Sequence, residues 1–377
     1  MIDTYFDYDH RERLLTVKQG VDNKTPHMLA EMEYNEIGQL NKKTLHGNSS
    51  FDMNLYYQDA VGHLGGLAGE NLYNGNISAI TWKNDGESKQ GYAFSYDGIS
   101  RLKGADYGIG SSSLADKNTY DVSGIKYDEN GNIKSLSRRE NGSLIDALSY
   151  KYHDNEASNQ LKGVEDTGSV RGFKDGTTAT TQYLYDDNGN MRKDLNKGIL
   201  SIEYNVLNLP EKIVFADGKE IKYVYSASGE KLQNIVNGKT LTYCGGFVYE
   251  NGILQYILNS EGRYVVSGSS GAYEYNLTDH LGNVRAVVDG NGAIKQKSNY
   301  YPFGMTFDSY EGSTNKYLYN GKELQEETGW LDYGARMYSP ELARWLVVDL
   351  AIEENHYDYT PYAYVYNNPV RLLTYMD

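Results

Sequence analysis

One recurring unit, Tyr-[Asp/Asn]-x-x-Gly-x-[Leu/Ile], constrains this chain more than any other feature. It begins at Tyr8 (Asp9, Leu14), Tyr34 (Asn35, Gly38, Leu40), Tyr96 (Asp97, Leu102), Tyr127 (Asp128, Gly131, Ile133) and Tyr185 (Asp186, Gly189, Met191). Degraded copies follow at Tyr204 (Asn205) and Tyr225 (Gly229). The starts are 26, 62, 31, 58, 19 and 21 residues apart. Many of these intervals lie near one or three multiples of ~20, the length of a strand, a turn, a second strand and a connection. The chemistry of the unit fits that length. Tyrosine ends a strand, Asp or Asn starts a turn by bonding backbone two residues on, glycine takes the φ > 0 position, and Leu or Ile restarts a strand.

Turn signals elsewhere agree. Asn-Gly begins at Asn74, Asn130, Asn141, Asn188, Asn237, Asn251, Asn291 and Asn320, and Asp-Gly at Asp85, Asp97, Asp175, Asp217 and Asp289. These dipeptides are the strongest short-range hairpin signals. Between Gly218 and Gly229, alternation puts Ile221, Tyr223 and Tyr225 on one face of a half-buried strand. Composition supports thin sheets. The chain has 37 Tyr and 40 Gly against 8 Phe and 6 Pro, so its large rings carry a polar end that must reach water or backbone. The fold predicted is all-β.

Helical signals are confined to the C-terminal part. Lys322–Thr328 has room for one or two helical turns before Gly329, and Ser339-Pro340 reads as an N-cap followed by proline at the first position of a short helix. Residues 1–270 therefore read as hairpin repeats, 271–305 as connecting strands and 306–377 as a distinct closing module.

A net charge of −15 repels phosphate backbones and excludes a nucleic-acid partner. No apolar run reaches the ~18 residues of a membrane span, and Met1–His10 lacks the basic and apolar segments of a signal peptide. Cys244, the single cysteine, reads as a small buried or half-buried side chain with no base beside it. Asp186–Asn190 is a turn: its glycine falls too early for a calcium loop and no Glu closes one. Gly108–Ser111 lacks the third glycine of a phosphate loop. No metal site or cofactor is implied.

Three stretches carry a resemblance. Asp279-His280-Leu281-Gly282, then Tyr301-Pro302-Phe303-Gly304, then a string from Tyr317 through Gly321, Arg336, Tyr338, Arg344 and Asp349 to Asn368-Pro369 resemble the RHS repeat-associated core in its Bacteroidetes-type version. The tyrosine units then resemble YD repeats. The resemblance implies antiparallel β-hairpins wound into a spiral, shell-like sheet, with a small C-terminal core containing short helices. It implies a scaffold segment of a larger secreted or cell-surface protein, such as a polymorphic toxin, whose partners are its upstream and downstream segments or its effector. The chain ends at Asp377, where a variable effector starts in the family, so no effector domain is expected within it.

Cores of this family can act as aspartyl self-proteases. By resemblance, Arg344 and Asp349 take the arginine and first-aspartate positions, but Leu350 replaces the following proline and Thr374 the second aspartate, with Asp377 three residues late. Two carboxylates sharing a proton are needed for that chemistry, so no catalytic residue is assigned, and Arg344 and Asp349 are expected to form a structural ion pair. Asp279 and His280 are adjacent and point apart if they lie on a strand, so they read as turn structure and not as an oriented base. The rival in the binding class is a module whose exposed tyrosines stack on surface glycans.

Overall fold

Each tyrosine unit closes a hairpin whose register is set by the tyrosine itself. Tyr8 faces Leu14 across its pair of strands, Tyr34 faces Leu40, Tyr96 faces Leu102, Tyr127 faces Ile133 and Tyr185 faces Met191, each just past a bulge. The bulge arises because the turn holds one residue too many for a regular ladder. The computed structural model in which these hairpins are seen describes the chain apart from residues 1, 22–26, 47–49, 85, 112, 117, 170, 312–314, 351–358 and 375–377. Met1, Asp85 and Asp377, invoked above, lie outside the described residues.

The glycines of the unit sit where a left-handed backbone is required: φ is +92° at Gly38, +82° at Gly131 and +79° at Gly189. Units without a glycine still adopt that conformation, with Glu12 at +61°, Ser100 at +71° and Asn208 at +57°. The acid caps the turn. Asp97 Oδ1 accepts from the Ile99 and Arg101 amides while Oδ2 accepts from Arg101 Nε. Asp128 and Asp186 do the same with Asn132 and Asn190.

Hairpins join edge to edge in chain order. Among the described residues, one antiparallel sheet of thirteen strands runs from β1 (Ile2–Tyr8) to β13 (Leu161–Asp166), and a second of fourteen from β14 (Tyr183–Tyr185) to β27 (Thr306–Glu311). One two-residue strand, Ala115–Asp116, leaves the path to pair with Leu102–Gly110. The sheets meet where the Gln182 amide donates to Lys162 O and the Leu161 amide donates to Tyr185 Oη.

A four-stranded sheet follows: β28 (Glu323–Gln325), β29 (Trp330–Asp332), β30 (Met337–Ser339) and β31 (Arg344–Trp345). The two short helices expected here are absent. Glu323 and Gln325 are drawn into a strand paired with Asp332 and Trp330. Ser339 Oγ does accept from the Leu342 amide, but Ala343 turns to φ +57° and Trp345 pairs back on Tyr338, ending the turn before a helix can propagate. Local capping signals lost to sheet pairing. Helix-like single turns at Asp154–Glu156, Tyr319–Gly321 and Val365–Asn367 each contain left-handed residues.

The inner faces of both sheets and the C-terminal segment share one core, continuous from Ala30 to Val370. Trp330, Trp345, Tyr338 and Tyr364 are fully buried within it. Cys244 is exposed, because it ends its strand opposite Phe247, which also faces outward.

Candidate functional site

The tyrosine hydroxyls explain why this chain prefers tyrosine to phenylalanine. In most units the ring's Oη donates to the carbonyl of the preceding hairpin's strand-restarting residue, whereas Tyr185 Oη accepts from the Leu161 amide and Tyr96 Oη donates to Ile77 O. Tyr34 donates to Leu14 O (2.9 Å), Tyr127 to Leu102 O (2.6 Å), Tyr152 to Ile133 O (2.7 Å) and Tyr204 to Met191 O (2.6 Å). The bulge removes that carbonyl from the regular ladder, and the hydroxyl of the next unit satisfies it. Arginines reinforce the stack: Arg13 lies 4.6 Å over the Tyr34 ring and Arg101 4.5 Å over Tyr127. Tyr8, first in the row, is 57% exposed. The sequence motif named Tyr8, Tyr34, Tyr96, Tyr127 and Tyr185 but missed Tyr57 and Tyr152, which occupy the same rung without a following acid. A tyrosine ~20 residues after each restart residue is the signal that finds them.

The turns form a rim, and the C-terminal segment reads it as a strap. The Thr360 amide donates to Asn130 O, Tyr362 Oη to Gly189 O (2.7 Å) and Asn367 Nδ2 to Gly131 O (2.9 Å). Asn368 Nδ2 donates to both Ser100 O and Asn76 Oδ1, and Arg371 reaches Asn74 O. One short segment thus binds turns from both sheets. Pro369 lies beside it and lines a small cavity with His280 and Arg285.

The core-motif residues hold this strap and its support. Asp279 caps its own turn, accepting from the Leu281 and Asn283 amides, and Gly282 has φ +75°. His280 Nε2 bonds Val370 O at 2.8 Å, and burial pushes its pKa down. Asp279 and His280 are therefore spent on different partners. Asn320 is a hub. Its amide donates to Asn283 Oδ1, its Nδ2 to Leu281 O, and its Oδ1 accepts from Tyr333 and Tyr364. Pro302 O accepts from Tyr319 Oη, Gly304 (φ +93°) packs on the Tyr319 ring, and Gly321 has φ +65°. Tyr338 Oη donates to Phe303 O.

The expected ion pair is not formed as predicted. Asp349 pairs with Arg336 at 2.7 Å, and Arg336 stacks on Trp345 at 4.2 Å. Arg344 instead donates to Asn159 O (2.8 Å) and lies 4.7 Å over the Tyr362 ring. The spacing of five residues was read as a contact, but Arg344 lies in β31 with its side chain committed to the first sheet.

Two buried charged clusters tie the closing module to the sheets. Burial opposes the charge of Lys231, yet Asp332 and Glu323 outweigh it and raise its pKa. Asp194 is fully buried, and desolvation, with Glu341 adding repulsion against the opposing pull of Lys197, raises it to about 7. Its Oδ2 has no hydrogen-bond donor. Among the described residues, no three His, Cys, Asp or Glu side chains are grouped to hold a metal, and no helix is long and apolar enough to cross a membrane.

Comparison with known proteins fits this geometry. No protein-family model matches the chain. It is 27% identical over 321 residues to the tRNA3(Ser)-specific nuclease WapA of Bacillus spizizenii, covering 82% of this chain and 11% of that protein. It is 37% identical over 82 residues to toxin subunit YenC1 of Yersinia entomophaga, covering 20% of this chain and 8% of the relative. Similarity to salivary gland surface protein 1 of Aedes aegypti is 27% over 241 residues, 56% of this chain and 7% of that protein. The crystal structure of TcdB2-TccC3 superimposes over 99% of this chain and 21% of its own, with TM-score 0.65 and 16% identity. The chain has an RHS-like β-shell fold, and it spans only a small part of each of these proteins.

Proposed function

We infer that the chain is an encapsulating or scaffold segment of a larger bacterial RHS-family protein of polymorphic-toxin or cell-surface class, Bacteroidetes-type, secreted or surface-displayed. The strap carries this reading. Its Tyr362, Asn367 and Asn368, which the family resemblance singles out, bind turn carbonyls at Gly189, Gly131 and Ser100 and so tie both sheets together. Its partners in this reading are the upstream and downstream segments of the same polypeptide, or its effector. Self-cleavage is not part of the reading, because Asp349 is neutralised by Arg336 and Thr374 stands at the second acid position.

The test is limited proteolysis of the natural full-length polypeptide. The segment after residue 377 is expected to resist digestion in that context and to be cut rapidly when produced alone. Equal digestion rates in the two contexts would refute encapsulation.

Glycan binding is a second reading, supported by Tyr273. It is 40% exposed, with Tyr264 across the strand at 4.9 Å and Tyr275 stacked at 6.0 Å. A glycan array without signal removes it.

A further inference from the structure

The Asn-Gly step that closes so many of these turns is also chemically labile. The asparagine carboxamide and the following amide nitrogen are close enough along the chain to close a five-membered ring, and glycine has no Cβ to obstruct the approach. The step occurs eight times. Whether it reacts in the folded chain depends on whether those two groups are held.

Seven of the eight are held by at least one of them. The Gly131, Gly142, Gly189, Gly292 and Gly321 amides each donate to a backbone carbonyl at 2.8–3.1 Å. At the other two it is the carboxamide that is fixed: Asn74 Oδ1 accepts from the Asn76 amide at 3.1 Å, and Asn251 Oδ1 from the Thr240 amide at 3.0 Å. Among the described residues Asn237-Gly238 is the exception, since neither its carboxamide nor its glycine amide has a hydrogen-bond partner. Both residues are exposed. They form the two-residue loop between the strands Lys231–Val236 and Lys239–Cys244, where Val236 faces Lys239. Backbone shape does not set this step apart: φ is +50° at Asn237 and +48°, +48° and +51° at Asn141, Asn251 and Asn320. The freedom of the two reacting groups does.

We propose that Asn237-Gly238 is a spontaneous, one-way modification site of the folded protein. The Gly238 nitrogen gives its proton to solvent base and attacks Asn237 Cγ. A C–N bond forms, the side-chain nitrogen leaves as ammonia, and a succinimide remains. Water then opens the ring at either carbonyl, giving aspartate or isoaspartate. One water is consumed and one ammonia released, with no other reactant. Isoaspartate runs the backbone through the side chain and so lengthens a loop whose geometry suits two residues. Val236 and Lys239 then lose their pairing, and a new carboxylate stands two residues from Lys239, which is paired with Glu250 at 2.8 Å. The inference does not rest on the encapsulation reading.

The experiment ages the full chain at mildly alkaline pH, folded and in urea, and follows every Asn-Gly step by peptide mapping with isoaspartate detection. In the folded chain Asn237 should convert about tenfold faster than any other step, the factor set by one hydrogen bond that must break elsewhere. In urea all the steps should react at comparable rates, with Asn237 about as fast as when folded. Exchange of the Lys239 amide should quicken as isoaspartate accumulates. Gly238→Ala, whose added Cβ meets nothing within 4 Å, should slow conversion at Asn237 and nowhere else. Conversion at Asn237 no faster than at the other steps of the folded chain, or an acceleration there of about tenfold on unfolding, overturns the proposal. Both outcomes are read on the natural sequence, so the test holds even where Gly238→Ala disturbs the turn.

Discussion

Asp194 should make this fold more stable in mild acid than at neutral pH, the reverse of the usual carboxylate. It sits at the hairpin turn before Ile199, fully buried, facing Lys197 from its own turn, Tyr183 from the adjacent strand and Glu341 from the closing module. Desolvation leads the shift that takes it from 3.8 to about 7. A carboxyl that titrates later in the folded chain than in the unfolded one favours the fold where it is protonated. The contribution is complete below pH 3.8, shrinks across the window above it, and is gone beyond about pH 7. At 1.36 kcal/mol per pH unit, roughly 3 units give about 4 kcal/mol across the window, of which ~3 kcal/mol falls between pH 5 and 7. Asp194→Asn keeps the shape and removes the titration. Urea unfolding of the natural chain and the variant at pH 5, 6, 7 and 8 isolates the effect, because groups not coupled to Asp194 cancel in the difference. The variant should gain ~3 kcal/mol on the natural chain between pH 5 and 7 and no more above it. A difference that is flat with pH would show that Asp194 is ionised throughout, held by Lys197, and that the desolvation argument is wrong.

The hydroxyl ladder predicts that Tyr127→Phe costs about 1–2 kcal/mol by stranding Leu102 O, whereas Tyr8→Phe, at the exposed start of the row, costs under about 0.5 kcal/mol; equal costs in urea unfolding would remove the ladder's role. Gly218 and Gly189 share a left-handed backbone, but a Cβ at Gly218 meets nothing within 4 Å while one at Gly189 comes within 2.6 Å of Val348 Cγ2 and 2.9 Å of Tyr362 Oη. Gly218→Ala should therefore cost about 1 kcal/mol of backbone strain, and Gly189→Ala ~1–3 kcal/mol more as it pushes the strap off its turn; matching thermal shifts would count against the strap's contact there.

What the sequence made legible was local. The acid-led turns are written within a few residues, since Asp97 and Asp186 cap amides two and four positions on and Asp128 caps the one four positions on. The all-β fold follows from those turns and the alternation between them. The strap was not legible, because Asn367 and Gly131 are 236 residues apart and no pattern in either segment announces the other. The same limit misplaced Asp349, whose partner is decided by which way β31 faces and not by spacing. It misread Ser339-Pro340, where a good cap precedes residues that pair as strand. Cys244 was expected inside on the strength of residue type, and only the outward row it shares with Phe247 corrects that. Asp194 carried no signal at all, since nothing in Met191–Asp194 distinguishes a buried acid from a surface one.

The ladder and the strap do different mechanical work, and together they account for how a strip of hairpins is tied onto one packed core. In the ladder, each hairpin depends on its neighbour alone: Tyr152 serves Ile133, and Tyr127 serves Leu102. A structure built only that way is quasi-one-dimensional and can open wherever its weakest rung lies. The inner sheet faces add burial, but a single curved sheet leaves its concave side to be covered by something else. Here Trp330, Tyr338, Trp345 and Tyr364 cover it from within the same chain. The strap then links turns that are not neighbours, from Asn74 to Gly189, so opening one rung requires breaking contacts at several. Tyrosine is the residue that permits both arrangements, since its ring fills the thin core while its hydroxyl reaches the carbonyl that each bulge leaves unpaired. Phenylalanine would supply the first and strand the second, which is why a chain of this kind carries 37 tyrosines and 8 phenylalanines.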